Sequence, residues 1–159
     1  MPDIGALAGL TLLNLAENNL SDLPQGLVTL ESLTTLGLAS NNLSSLPAEI
    51  GNLTSLDLRG NHLENLPPEM GKLTQLSWLD ISGNKLSYLP PEIGALARLS
   101  WLTLFDNRLE YVPPEIGYLT DLIVLDLQGN NLNNLSPEIG NLTNLNVLYL
   151  SGNKLQPAG

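Results

Sequence analysis

Cysteine is absent from this chain of 159 residues. That excludes disulfides and thiolate metal sites, and nothing asks for an oxidising compartment. Histidine occurs once, as His62, and phenylalanine once, as Phe105. Bases are scarce, 6 against 16 acids, for a formal charge of −10. Nucleic acid and anionic membranes both need a clustered basic surface, so neither is expected as a partner. No run approaches the ~18 apolar residues of a membrane span. The start, MPDIGALAGL, lacks the basic head and long apolar core of a signal peptide, which favours the cytoplasm. There is no G-x-x-x-x-G-K and no G-x-G-x-x-G, and His62 has no nucleophile motif around it. No catalytic residue, cofactor or metal site is therefore expected. What is plentiful is leucine, 40 residues, and asparagine, 18. At 43% hydrophobic the chain can bury a core, and its length fits one domain spanning 1–159.

Self-similarity dominates the sequence. Asn18, Asn41, Asn61, Asn84, Asn107, Asn130 and Asn153 are each followed two residues later by leucine, at separations of 23, 20, 23, 23, 23 and 23. With the leucine eight before each asparagine as position 1, positions 1, 4, 6, 11, 14, 18 and 21 are aliphatic almost throughout. Position 9 is always Asn. One full unit reads LSWLDISGNKLSYLPPEIGALAR.

The L-x-L at positions 4 to 6 has strand periodicity, so positions 3 and 5 face away from the core. P-E-I-G-x-L then offers proline for the start of a helical turn, Glu in its first turn and Gly shortly after. Only five or six residues are available, which suits 3₁₀ geometry. One strand and one short return cannot bury these leucines alone, whereas stacked units share one core. A buried asparagine must be hydrogen-bonded, and its amide can serve backbone groups of its own and the neighbouring unit. The seven asparagines are thus expected to form a ladder.

This pattern resembles the leucine-rich repeat, in its 23-residue form with an LPxEIG tail. It is similar to the intracellular Ras-group repeats and to those of Roco and LAP-type scaffold proteins. The resemblance covers nearly the whole chain in about seven units, the first and last partial. It implies an α/β solenoid with a curved parallel β-sheet on the concave face and short 3₁₀ or irregular turns on the convex face. It also implies a role in binding other proteins.

Between Asn41 and Asn61 one L-x-x triplet is missing, which makes a short repeat near 53–75. Since the triplet keeps the leucine phase, the strand through Leu56 and Leu58 is expected to survive while the back of the unit tightens. The chain begins in mid-unit, with Ile4, Gly5 and Leu7 at positions 18, 19 and 21, and stops soon after Leu155. Neither end shows a polar cap. The chain is expected either to be a fragment of a longer protein or to self-associate through its open ends.

On the concave face the outward positions form columns with a spacing of about 4.8 Å between units. Position 3 reads Leu12, Thr35, Ser55, Trp78, Trp101, Val124, Val147; position 5 reads Asn14, Gly37, Asp57, Asp80, Thr103, Asp126, Tyr149. Position 7 adds Phe105 and Arg59. Clustered exposed aromatics mark binding sites more often than bare surface. The expected partner is a protein or peptide, partly basic. Trp78, Trp101, Phe105 and Val124 are the expected apolar anchors and Tyr149 a further contact. Asp57, Asp80, Asp106 and Asp126 form a charged rim, with Asp80 and Asp126 as orienting charges. The competing readings are that the two indoles only stiffen the sheet, and that the acids only keep sheets from pairing edge to edge. A weaker second patch holds Tyr88 and Tyr111 at position 13, beside Arg108 and Glu110. The convex Glu49, Glu69, Glu92, Glu115 and Glu138 fit helix-start chemistry. The alternative function is a structural or sensor segment of a larger multidomain protein, such as a GTPase-linked or scaffold protein.

Overall fold

The computed structural model describes residues 3–157. Seven three-residue strands recur once per unit: β1 Leu12–Asn14, β2 Thr35–Gly37, β3 Ser55–Asp57, β4 Trp78–Asp80, β5 Trp101–Thr103, β6 Val124–Asp126 and β7 Val147–Tyr149. They form one parallel sheet in sequence order. Register is strict, so that position 3 pairs with position 3 and position 5 with position 5 across every junction. The sheet lines the concave side.

The return path carries six 3₁₀ turns: η1 Ile4–Ala6, η2 Gln25–Thr29, η3 Pro68–Lys72, η4 Pro91–Ala95, η5 Pro114–Tyr118 and η6 Pro137–Asn141. Proline sits at the first residue of η3 to η6, where its missing N–H costs nothing. Strand and turn leucines meet in one continuous core. Leu79, Leu102 and Leu125 at position 4 are wholly buried, as are Leu86, Leu109 and Leu132 at position 11. At the two ends the equivalents are only half-buried, among them Leu10, Leu13, Leu15 and Leu145, Leu150, Leu155.

The position-9 asparagines knit the units together. In each of units 2 to 7 the Nδ2 group donates to the position-6 carbonyl of its own unit and of the preceding one. Asn107, for example, donates to Leu104 at 3.1 Å and Ile81 at 3.0 Å. Its Oδ1 accepts the Leu86 N–H, at position 11 of the preceding unit, at 3.0 Å. Asn41, Asn61, Asn84, Asn130 and Asn153 repeat this arrangement. Asn18 has no such neighbour among the described residues; it is exposed and bonds only carbonyls of its own unit.

The residue before each asparagine, position 8, takes a left-handed backbone in all seven units. Gly60, Gly83, Gly129 and Gly152 do so freely; Glu17, Ser40 and Asp106 do so at φ of 58°, 55° and 51°. This bend reverses the chain out of the strand.

The PEIG glycine answers to the neighbouring unit. It lies inside the 3₁₀ turn and does not end it. A Cβ on Gly94 would stand 2.7 Å from the Glu115 carbonyl oxygen, and one on Gly117 would stand 2.8 Å from that of Glu138. Glycine there lets neighbouring turns touch backbone to backbone.

The truncated return lies at 47–54, ahead of the 53–75 stretch, whose own turn η3 is regular. No 3₁₀ turn forms between β2 and β3, yet β3 pairs on both sides. The missing triplet leaves this return too short for one, and the preceding turn η2 differs from the others at Val28. It occupies position 19, where the following units have glycine, and its side chain is exposed.

Candidate binding surface

Trp78 and Trp101 lie side by side in register on β4 and β5. Trp78 is half-buried, whereas Trp101 is 42% exposed. The Trp101 indole Nε1–H donates to Thr103 Oγ1 at 2.8 Å, which lays the ring along its own strand toward position 5. Phe105, two residues beyond Thr103, is 41% exposed. These three rings form a ridge across the middle of the sheet. Tyr149 is exposed on β7, two strands away. Val124 does not belong to the exposed ridge. Flanked in register by Trp101 and Val147, it is only 7% exposed, so it sits beside the Trp101 ring and offers a partner little area.

The acids also differ from expectation. At position 5 an Asp or Asn side chain accepts the backbone N–H two residues on, a local turn that satisfies an amide leaving the strand. Asn14 accepts from Ala16, Asp57 from Arg59, Asp80 from Ser82 and Asp126 from Gln128. The Asx that ends β1, β3, β4 and β6 was the available sequence signal, and reading these acids as a free rim missed it. Arg59 then clamps Asp57 with two bonds, Nε at 2.9 Å and Nη2 at 2.6 Å, and reaches Asp80 at 3.7 Å. Asp80 also accepts from Ser82 Oγ at 2.5 Å and is 7% exposed. Burial pushes its pKa up and the Asp57 charge adds to the rise, while the Ser82 bonds and Arg59 oppose it. The Arg59 pKa is raised, chiefly by its bond to Asp57. Asp126 is engaged by the Gln128 amide at 3.2 Å. Asp57, Asp80 and Asp126 are thus largely committed within the chain, and the two expected as orienting charges do not stand free. Asp106 is exposed and, among the described residues, makes no hydrogen bond or ion pair through its carboxylate.

Beside the ridge the face sinks into a hollow of about 640 Å³. Ala16, Gly37 and Ala39 floor it, Leu12 borders one side and Arg59 with Trp78 the other. Three of the four residues at positions 5 and 7 of units 1 and 2 are small, Ala16, Gly37 and Ala39, and Asn14 is the fourth.

Away from this face, Tyr88 and Tyr111 are exposed at position 13, and His62 is exposed beside the turn. Among the described residues no group of three or more His, Asp or Glu could hold a metal ion. No helix there is long and apolar enough to cross a membrane.

Comparison with known proteins places this geometry. Family models described as leucine rich repeat match residues 32–53, 51–109 and 97–155. A search of curated protein sequences found no significant match. Among solved structures, a leucine-rich-repeat protein of Leptospira interrogans is 36% identical with a TM-score of 0.74, over 97% of this chain and 46% of that one. An internalin of Listeria monocytogenes is 28% identical with a TM-score of 0.84, over 96% of this chain and 45% of that one. A plant peptide hormone receptor, RGFR1, in complex with RGF2, is 37% identical with a TM-score of 0.86, over 98% of this chain and 27% of that one. The chain thus spans less than half the length of each of these proteins.

Proposed function

Since this chain belongs to the leucine-rich-repeat family, whose fold generally mediates protein–protein interaction, we propose that it binds a protein or peptide on its concave face. The carrying observation is the exposed ridge of Trp101 and Phe105, backed by Trp78 and bordered by the hollow over Gly37 and Ala39. None of these rings is needed by the repeat. Position 3 is Thr or Ser in units 2 and 3, and position 7 is small in four of the seven units. Tryptophan and phenylalanine supply large contact area at low entropic cost. The plant receptor's structure contains a bound peptide, which supports a peptide as one class of ligand for this architecture. The mechanism is surface complementarity, with no bond made or broken.

The test is affinity capture with the wild type and with the Trp78→Ala/Trp101→Ala double variant. A partner retained by the first and lost by the second, at equal thermal stability, supports the reading. A partner held equally by both moves the site elsewhere. A second reading is a structural or sensor segment within a larger protein, favoured by the greater length of the solved neighbours. It predicts that no partner is captured by this segment alone.

A further inference from the structure

Unit 5 differs from the other six in carrying three side chains that the fold does not use. At position 3 stands Trp101, at position 7 Phe105 and at position 8 Asp106. Position 8 demands a left-handed backbone, and glycine meets that demand in four units. Asp106 therefore contributes nothing to the bend that glycine would not supply better. Its carboxylate lies against Gly129 of the next unit and is otherwise unengaged among the described residues. Arg108, two residues on, makes no ion pair with it. Asp57, Asp80 and Asp126 are neutralised or bonded locally, whereas Asp106 is exposed, follows the exposed Phe105 directly in the chain and belongs to the same unit as the exposed Trp101.

A planar cation is the one ligand class that both an aromatic ring and a carboxylate recognise. A guanidinium stacks on aromatic rings and donates from its edge to a carboxylate, and it sheds water more readily than an ammonium does. The concave columns supply the matching field. Glu17, Asp57, Asp80, Asp106 and Asp126 face one base, Arg59, which is already paired. We infer that unit 5 is the point at which the concave face takes an arginine side chain of its protein partner, on the rings of Trp101 and Phe105 and the carboxylate of Asp106. This assignment rests on the concave-face reading above and gives it a chemical specificity.

The probe is a blocked tripeptide, acetyl-Gly-Arg-Gly-amide, compared with the same peptide carrying uncharged citrulline. Amide and indole N–H signals of the isotopically labelled chain report the binding position. The Trp101 indole and the amides of residues 104–107 should shift with the arginine peptide more than the Trp78 indole does. Citrulline should bind at least about fivefold more weakly. The decisive variant is Asp106→Gly, which keeps or improves the bend while removing the charge. It should lose the arginine preference without any loss of unfolding midpoint. Equal shifts with citrulline, shifts centred away from unit 5, an undiminished preference in Asp106→Gly, or no shift at tens of millimolar peptide would each overturn the assignment. Capture of a partner by wild type and by Asp106→Gly alike, but not by Trp78→Ala/Trp101→Ala, would overturn the arginine site and leave the concave-face reading standing.

Discussion

Replacing Asn107 by alanine isolates what the ladder is worth. The side chain makes three bonds to buried backbone: it donates to Ile81 and Leu104 and accepts from Leu86. The three losses are unequal. The Ile81 carbonyl keeps a donor in Asn84, and the Leu104 carbonyl keeps one in Asn130. The Leu86 N–H has no other acceptor and becomes an orphan in a buried setting. One orphaned donor costs about 1–3 kcal/mol, and two weakened acceptors and a small void add to it. We expect a loss of about 2–3 kcal/mol. Asn18 is the internal control, since it is exposed and satisfies no neighbouring unit. Asn18→Ala should cost no more than about 0.5–1 kcal/mol. Equilibrium urea unfolding of both variants, followed by circular dichroism and checked for unchanged m-value, gives the difference. Equal losses in the two variants, or a loss below about 0.5 kcal/mol at Asn107, would refute the ladder as a source of stability.

Three further outcomes follow from the geometry. Gly94→Ala must push a Cβ against the Glu115 backbone and should destabilise by about 1–3 kcal/mol, whereas Gly140→Ala meets no atom within 4 Å and should be neutral or slightly stabilising; thermal midpoints separate them. Ser40→Gly relieves a left-handed serine and should stabilise by about 0.5–1 kcal/mol, while Gly60→Ala imposes that strain and should destabilise by about 1–2 kcal/mol, both read by denaturant midpoint. Asp80 carries a raised pKa, so the folded chain holds its proton more tightly than the unfolded chain does. Its contribution to stability is therefore greatest below the ordinary aspartate pKa and falls as pH rises through the raised one. Asp80→Asn should remove that downward slope from the stability–pH curve just above pH 4, and an unchanged slope would contradict the assignment.

The fold was readable because every unit repeats the same constraint. The period fixed which leucines share a core, and the asparagine two before Leu109 or Leu132 could only be buried and bonded. The missing triplet could be read as well, although the affected return falls before Leu53. The site was only partly legible. Alternation said that Trp78, Trp101 and Val124 share a face, but exposure depends on neighbours, and Val124 is hidden where Trp101 is not. A charge count treated Asp57, Asp80 and Asp126 as equivalent to Asp106. Hydrogen bonds to residues two places on consume the first three, and left-handed geometry sets the fourth apart. The reason for the PEIG glycine was not legible, because close approach between units leaves no trace within one unit.

Hydroxyl-radical footprinting of the chain with its captured partner tests the binding surface most directly, because it labels exposed aromatic side chains on both faces. Trp101 and Phe105 should lose most of their labelling on complex formation, while Tyr118, 68% exposed on the convex η5, should keep it. Protection of Tyr118 with continued labelling of Trp101 and Phe105 would place the partner on the opposite side and contradict the account.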